Sequence, residues 1–165
     1  MVKRFLSDIA GKACEFILPI RHDTFIGNSN SCIALCTLSS IDLLLSASRS
    51  DLMQYIAIVG RLLSENKGID ALVRYVIADK RRVRYMIIAG KDSKGHLAGQ
   101  SLLALWLNGI DVNGRIIGSK GKDPILTVSK DEVDEFRARI NTIIDMRDVI
   151  DVGRIREYVL TIIQE

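Results

Sequence analysis

His96 lies in a glycine-rich loop between an apolar run and an amphipathic one. The run before it, residues 83–89, is typical of a buried strand, and the residues after it place Ala98, Leu102 and Leu105 at helical spacing. Such a strand-to-helix junction is where an open α/β sheet binds its ligand. A neutral imidazole there can act as a general base, ligate a metal or donate to a phosphate at the helix N-terminus. The residue types alone leave these three roles open.

Around this loop, short apolar runs alternate with longer patterned ones, which is the pattern of βα units. We therefore expect one α/β domain over residues 1–165, Rossmann-like and doubly wound, with a mostly parallel sheet and helices on both faces. The predicted strands cover residues 32–38, 55–59, 83–89, 115–118 and 142–145, with a further short strand near residues 16–18.

Three segments have the spacing of helices with one buried face. The clearest covers residues 69–77. A second begins near Val133, with Ser129 as its expected N-cap and acidic residues in the first turn. The third runs from Asp151 towards the C-terminus. The segment 43–50, rich in Leu and Ser, fits either a short helix or a mobile connection.

Polar loops follow three of the predicted strands, at residues 60–68, 90–97 and 118–124. Because the carboxyl ends of parallel strands share one edge, we expect these loops to gather an imidazole, a carboxylate and backbone N–H groups around one crevice. Plainer explanations stay open: the glycines can form tight turns, Glu65 can cap a helix, and His96 can be an ordinary residue at a helix start. The Lys120-Gly121-Lys122 cluster lacks the spacing of a P-loop.

Composition disfavours several classes of partner and location. The 23 basic and 20 acidic residues leave a net charge of +3, are interspersed, and accompany only 5% aromatic residues, so we expect no nucleic-acid partner. No apolar stretch approaches the roughly 20 residues that cross a bilayer, and charged residues interrupt any signal-peptide core. The three cysteines are odd in number, which favours reduced thiols and a cytoplasmic protein.

Motifs of other catalytic classes are missing from the sequence. A hydrolase is disfavoured because there is neither a G-x-S-x-G elbow nor a second well-placed histidine. Dinucleotide binding is disfavoured because residues 38–42 read Leu-Ser-Ser-Ile-Asp where a glycine fingerprint belongs. In an extended strand Cys32 and Cys36 would lie about 13 Å apart, too far for one zinc ion.

The stretch 94–105, Lys-Gly-His-Leu-Ala-Gly-Gln-Ser-Leu-Leu-Ala-Leu, resembles the A subunit of tetrahydromethanopterin S-methyltransferase, which carries a corrinoid in methanogenic archaea. The resemblance continues through Asn108-Gly109-Ile110-Asp111 and residues 114–121. It extends to residues 19–38, to Ser64-Glu65-Asn66 with Gly68-Ile69-Asp70, and to residues 144–145 and 148–152. It implies a cobalamin-type cobamide, a cobalt corrinoid, with an imidazole as its lower axial ligand. The matching residue is His96.

The resemblance also implies the surroundings of this histidine. A metal-ligating histidine usually donates its other ring N–H to a carboxylate or carbonyl, and we expect Glu65 to accept it. The remaining cofactor-binding residues implied by the match are Ser64, Asn66, Lys94, Gly95, Leu97, Gly99, Gln100, Gly118, Ser119, Lys120 and Gly121.

The sequence departs from the family pattern at three places. The Gly-Pro-Cys-Lys run of the family reads Gly60-Arg61-Leu62-Leu63 here, and its Thr is Ser64. Members of the membrane complex continue into a C-terminal membrane anchor, whereas this chain ends at Glu165, so we expect a soluble homologue or a shortened form. The D-x-H-x-x-G motif of other corrinoid domains is not matched, because Lys94 stands where its acid would be.

The expected function is that of a corrinoid carrier for methyl transfer, working as one component of a methyltransferase. By resemblance, the methyl group arrives from methyl-tetrahydromethanopterin and leaves to coenzyme M, each step with other subunits. Two alternatives remain: a stand-alone corrinoid-binding protein, and an α/β domain that binds a nucleotide or phosphate through residues 118–121.

Overall fold

The computed structural model describes residues 23–79 and 83–164. The expected short strand near residues 16–18 lies outside these residues. Within them, five strands form a single sheet. The strands are β1 (Thr24–Ile26), β2 (Ile33–Cys36), β3 (Ile58–Gly60), β4 (Tyr85–Gly90) and β5 (Thr142–Arg147).

The sheet has the order β1-β3-β2-β4-β5. Strands β2 to β5 run parallel, and β1 pairs antiparallel with β3. The chain crosses from β2 to β3 on one side and then to β4 on the other side of β2. The loops at the carboxyl ends of β2 and β4 therefore lead away from each other, which opens a crevice at this edge of the sheet.

Helices cover both faces of the sheet. The helices are α1 (Ile41–Ser48), α2 (Lys67–Ala78), α3 (Ala98–Asn108), α4 (Lys130–Arg139) and α5 (Val152–Gln164). Buried side chains of α2, α3 and α4 form one apolar core with the sheet, and those of α1 and α5 form a second core on the opposite face. The continuous burial of β2 and most of β4 follows from this two-sided cover.

The structure confirms the expected α/β class with its mostly parallel sheet. Helices α2 and α5 lie where their periodicity predicts them. Ser129 is the N-cap of α4 and forms a capping box with Glu132. Of the two interpretations of residues 43–50, the short helix is correct, since α1 covers Ile41–Ser48.

The strand predicted over residues 115–118 is wrong. This segment makes only isolated bridges, between Ile110 and Ile116 and between Arg115 and Ile125, and does not join the sheet. Of its residues only Ile116 is buried, and Gly118 adopts a positive φ of 83°, so the segment lacks both the burial and the backbone of a central strand.

Two other boundaries differ from the sequence prediction. The strand expected over residues 55–59 begins only at Ile58, because residues 51–54 form a 3₁₀ turn capped by Ser50. The sequence does not predict the short strand β1, since three residues are too few for a recognisable alternation. Among the helices of residues 23–79 and 83–164, none combines the length and apolarity that crossing a membrane requires.

Candidate functional site

The imidazole of His96 and the carboxylate of Glu65 face each other at the carboxyl edge of the sheet. The His96 Nδ1 atom lies 2.8 Å from the Glu65 Oε2 atom. The histidine side chain is 54% exposed, whereas the glutamate side chain is fully buried. A buried carboxylate thus holds one end of a ring that is about half exposed.

The chemistry of the carboxylate determines which histidine nitrogen carries the proton in this contact. An ionised carboxylate can only accept hydrogen bonds, so the Nδ1 atom donates to it. In the neutral ring, the lone pair then belongs to Nε2. This arrangement, in which a carboxylate fixes the tautomer and orientation of an imidazole, is typical of histidines that ligate a metal.

Glu65 is held ionised by the donors around it. Burial raises the pKa of Glu65, but the backbone N–H groups of Asp123 and of Glu65 itself, together with His96, outweigh burial and leave this pKa below its ordinary value. The Asp123 N–H donates to Oε1 at 2.7 Å. Both carboxylate oxygens therefore have partners, as a buried charge requires.

The turn that presents His96 uses two unusual backbone conformations. Gly95 has a φ of 80° and Leu97, the N-cap of α3, has a φ of 47°. Asp92 compensates for the missing N-cap side chain, because its carboxylate accepts the N–H groups of Ser93, Gly99 and Gln100, each at 3.0 Å. The position of His96 is thus fixed from both ends of the turn.

The loop 118–123 closes over this turn. The Gln100 amide donates to the Gly118 carbonyl at 2.9 Å and accepts the Lys120 N–H at 2.8 Å. The Ser101 and Ser119 hydroxyls lie 2.7 Å apart, and the Lys122 N–H donates to the Gly95 carbonyl at 3.1 Å. These bonds join the loop to both α3 and the His96 turn.

Gly121 is the point of closest approach between this loop and the pair. A Cβ atom at position 121 would lie 2.6 Å from the His96 carbonyl oxygen and 2.8 Å from the Glu65 Cγ atom. Real Cβ atoms essentially never come so close, so only glycine fits without a shift of the neighbouring atoms.

Ser64 and Asn66 flank Glu65 and begin helix α2. The Ser64 hydroxyl accepts the Gly68 N–H at 2.8 Å, and the Asn66 side chain accepts the Lys67 N–H at 2.7 Å. The Asn66 amide also donates to the Asp123 carbonyl at 3.2 Å. These two residues therefore fix the loop that carries Glu65.

The structure brings the three predicted loops together but gives their residues different positions. Exposed on these loops are Lys94, Gly95, Gly118 and Lys120. Half-buried are Ser64, Asn66, Leu97, Gln100 and Ser119, and fully buried are Glu65, Gly99 and Gly121. Gly99 packs against Leu38, so it lies beneath the turn rather than at the crevice surface.

The backbone donors of this edge are already engaged, which bears on the phosphate alternative. Each N–H from Ser119 to Asp123 donates to an oxygen of the chain itself. At the start of α3, the N–H groups of Gly99 and Gln100 donate to Asp92. A phosphate would need such donors free, so the geometry does not favour the nucleotide or phosphate interpretation.

Sequence reasoning missed two residues of this site. The sequence offers one indication of the role of Asp92, because an acidic residue shortly before a helix commonly caps it. Several residues separate Asp92 from α3, however, so the cap is not recognisable from spacing alone. Asp123 acts through its backbone N–H, which no residue type reveals. Within residues 23–79 and 83–164, no group of three or more His, Cys, Asp or Glu residues could hold a bare metal ion.

Comparison with known proteins identifies relatives of this chain. A family model that describes the A subunit of tetrahydromethanopterin S-methyltransferase matches residues 15–165. The A subunit of that enzyme from Methanocaldococcus jannaschii is 38% identical over 133 residues, which cover 80% of this chain and 53% of the relative.

Two further relatives match over a larger share of their own length. A Methanosarcina acetivorans protein, provisionally named as the A subunit of a methyltransferase Mtx, is 37% identical over 142 residues, 86% of this chain and 67% of the relative. The second A subunit of the Methanothermobacter marburgensis enzyme is 36% identical over 137 residues, 82% of this chain and 70% of the relative. The matched part of this chain spans about half to two thirds of these relatives. The chain belongs to the family of the tetrahydromethanopterin S-methyltransferase A subunits.

Proposed function

We propose that this chain binds a cobamide through His96 and serves as the corrinoid carrier of a methyltransferase. The observation that carries the proposal is an exposed imidazole whose Nδ1 donates to the buried Glu65 carboxylate, which leaves Nε2 as the available nitrogen. When bound, a cobamide supplies a cobalt centre that can accept and release a methyl group.

The donor set of the chain fits such a cofactor. A cobamide would bring most of the ligands of its own cobalt, so the protein would need to add one donor, His96, and not a cluster of ligands. Among the described residues, this is what the site offers: one open imidazole, and no group of three or more potential ligands. A bare transition metal held by the protein alone would need several such ligands.

The residues around His96 have separable roles in this proposal. Glu65 fixes the tautomer and the orientation of the ring. Gln100, Ser119 and Gly121 position the loop 118–123. This loop in turn holds Glu65 through the Asp123 N–H. The proposed contacts to the cobamide come from residues at or near the surface of the edge: Ser64, Asn66, Lys94, Gly95, Leu97, Gly118 and Lys120. Gly99 supports the turn from below.

The proposed substrates and partners come from the resemblance to this family. We propose methyl-tetrahydromethanopterin as the methyl donor, because the family name contains tetrahydromethanopterin. The proposed acceptor is coenzyme M, which the resemblance implies, with other subunits catalysing each transfer. The chain would thus be a carrier and not a complete enzyme. A cytoplasmic location, expected from the odd number of cysteines, stays a prediction.

The test uses the nuclear spin of the ligating nitrogen. The chain is produced with ¹⁵N-labelled histidine, loaded with cobalamin and reduced to the Co(II) state for electron paramagnetic resonance. If a protein histidine ligates the cobalt, each cobalt line splits into a doublet with ¹⁵N and into a triplet with ¹⁴N. A triplet in both samples would show that the nitrogen comes from the cofactor's own base, and the proposal would fail.

A pair of variants assigns the nitrogen to one residue. The chain contains two histidines, so His22→Ala is the matched control for His96→Ala. We expect the doublet in His22→Ala and its loss in His96→Ala, with a shift of the visible absorption bands. Transfer of the methyl group from methyl-tetrahydromethanopterin, assayed with the other subunits, then separates a carrier from a stand-alone corrinoid-binding protein.

A further inference from the structure

The lysines of the described chain are concentrated around His96. Residues 23–79 and 83–164 contain six lysines. Five of them lie on three segments, called loops below: 61–67, whose last residue begins α2, 91–96 and 118–123. These five are all exposed, and no hydrogen bond or ion pair within the described residues engages their ammonium groups. We call them the lysine face: Lys67, Lys91, Lys94, Lys120 and Lys122. The sixth, Lys130, pairs with Asp134 on α4.

The acidic residues of the same loops do not neutralise this face. Glu65 is fully buried and bonded to His96 and to the Asp123 N–H. The carboxylate of Asp92 turns inward to three backbone N–H groups. Only Asp123 is exposed, and its carboxylate lies near the Asn66 amide, at 3.4 Å. The six basic and three acidic residues of the three loops give an excess equal to the net charge of the whole chain, +3.

The lysine face is not built to hold a small anion. A phosphate or sulfonate site needs convergent donors, usually with backbone N–H groups among them. Here the N–H groups from Ser119 to Asp123 and at the start of α3 already bond to the chain. The five ammonium groups are spread over three loops. Such a distribution suits a large surface of opposite charge.

The composition of the three loops indicates which kind of large partner fits. None of them contains Phe, Tyr or Trp, so they offer no stacking platform for single-stranded nucleic acid. Exposed apolar side chains accompany the lysines instead: Leu63 is 42% exposed, and Ile117, beside the last loop, is 47% exposed. An apolar contact within a charged rim is typical of protein–protein interfaces.

The positive charge also ends sharply along the sheet edge. The loop after β5 exposes Asp148 and Asp151, whereas the neighbouring loop after β4 carries Lys91 and Lys94. A partner with an acidic patch would therefore approach in one orientation, because the acidic loop repels the same patch.

We propose that the lysine face docks an acidic surface of another protein, namely the subunit that exchanges a methyl group with this chain. This inference rests on the proposed function, since it assumes that the partner must reach the group bound at His96. Charges around a site chiefly accelerate association, so the effect belongs to the association rate constant and depends on salt.

The test measures association kinetics with the other subunits of tetrahydromethanopterin S-methyltransferase from the same organism, produced without their own A subunit. The variant Lys91→Gln with Lys122→Gln removes two charges of the face. Neither residue belongs to the proposed cobamide contacts, so the cobalamin spectrum should not change. The matched control is Arg49→Gln with Arg84→Gln, which removes two exposed positive charges at the opposite edge of the sheet.

We expect the association rate constant of the lysine variant at low salt to be lower than that of the unaltered chain by roughly threefold or more. The arginine control should associate as fast as the unaltered chain. The difference should vanish near about 1 M salt, where charges are screened over a few Å. The proposal would be overturned if the two variants associated at equal rates, or if the unaltered chain did not associate at all. It would also be overturned if a short oligothymidylate displaced the subunits. Measurement with and without cobalamin separates it from the proposed function, because a chain that takes up no cobalamin still reports on docking.

Discussion

The Glu65 carboxylate joins His96 to Asp123 of the loop 118–123, which lies 58 residues after Glu65 in the chain. Oε2 accepts from the imidazole at 2.8 Å, and Oε1 accepts from the Asp123 backbone at 2.7 Å. A shift of the loop 118–123 would therefore move the carboxylate, and a shift of the carboxylate would turn the ring. The orientation of the imidazole depends on three loops at once.

Replacing Glu65 by Gln should weaken cobalamin binding by about 10–100-fold. The amide has one accepting oxygen, whereas the carboxylate has two. One of the two groups that donate to residue 65, the Asp123 N–H or the His96 Nδ1–H, would therefore face an NH₂ group. The measurement is a cobalamin titration followed in the visible spectrum. Glu157→Gln, at an exposed position on α5, is the control. Equal affinity in both variants would remove Glu65 from the site.

Replacing Gly121 by Ala should disturb the site through sterics alone. The added methyl group would press on the His96 carbonyl and on Glu65, so we expect a loss of about 1–3 kcal/mol in the free energy of unfolding, the usual range for overpacking. Cobalamin affinity should fall as well. Urea unfolding and the cobalamin titration measure the two effects.

Gly153→Ala is the comparison, because a Cβ there would meet only the end of the Asp151 side chain. If Gly121→Ala were as stable as the unaltered chain and bound cobalamin equally well, the close packing at residue 121 would not position the pair.

Much of the fold follows from patterns that the sequence displays directly. The buried runs of β2 and β4 and the single apolar stripe of α2 are local features, so spacing alone locates them. The segment 115–118 gives a wrong prediction, because two isoleucines between an arginine and a glycine have the composition of a short strand. Only the three-dimensional structure shows that the N–H groups of residues 115–117 donate to Asp111, Pro124 and Gly109 and not to the sheet.

The site was predictable to the extent that it depends on residue type. His96 and Glu65 lie on loops that follow parallel strands, and topology brings such loops together. The contributions of Asp123 and Lys122 come from backbone N–H groups, which every non-proline residue has, so no sequence pattern marks them. The charge segregation of the lysine face was equally hidden, because charges that are interspersed along the chain can still gather on one surface.

Acid should destabilise the folded chain partly through Glu65. Its pKa is lower in the folded chain than in the unfolded one, so ionisation of this carboxylate stabilises the fold above its unfolded pKa of about 4.3. That contribution is lost as the pH falls through the folded pKa. We therefore expect the free energy of unfolding of the unaltered chain to fall more steeply between about pH 6 and pH 3 than that of Glu65→Gln.

Comparison of the two proteins isolates this residue, because the carboxyls of Asp134 and Asp145, whose pKa values are also lowered, are common to both. Urea unfolding at a series of pH values gives the two curves. Parallel curves would mean that Glu65 has the same pKa folded and unfolded.

Replacing Asp92 by Asn should loosen the His96 turn without removing any group from the crevice. Asn keeps one accepting oxygen, so Ser93, Gly99 and Gln100 would compete for it, and we expect a loss of about 1 kcal/mol, as for other helix caps. Amide hydrogen exchange at residues 97–101 should become roughly fivefold faster, and cobalamin should bind more weakly. Ser129→Ala is a matched control, because it removes the cap of α4 at a comparable cost in stability. If both variants bound cobalamin like the unaltered chain, the cap at Asp92 would support the fold alone. A loss of cobalamin affinity confined to Asp92→Asn would show that the rigidity of this turn contributes to holding the cofactor.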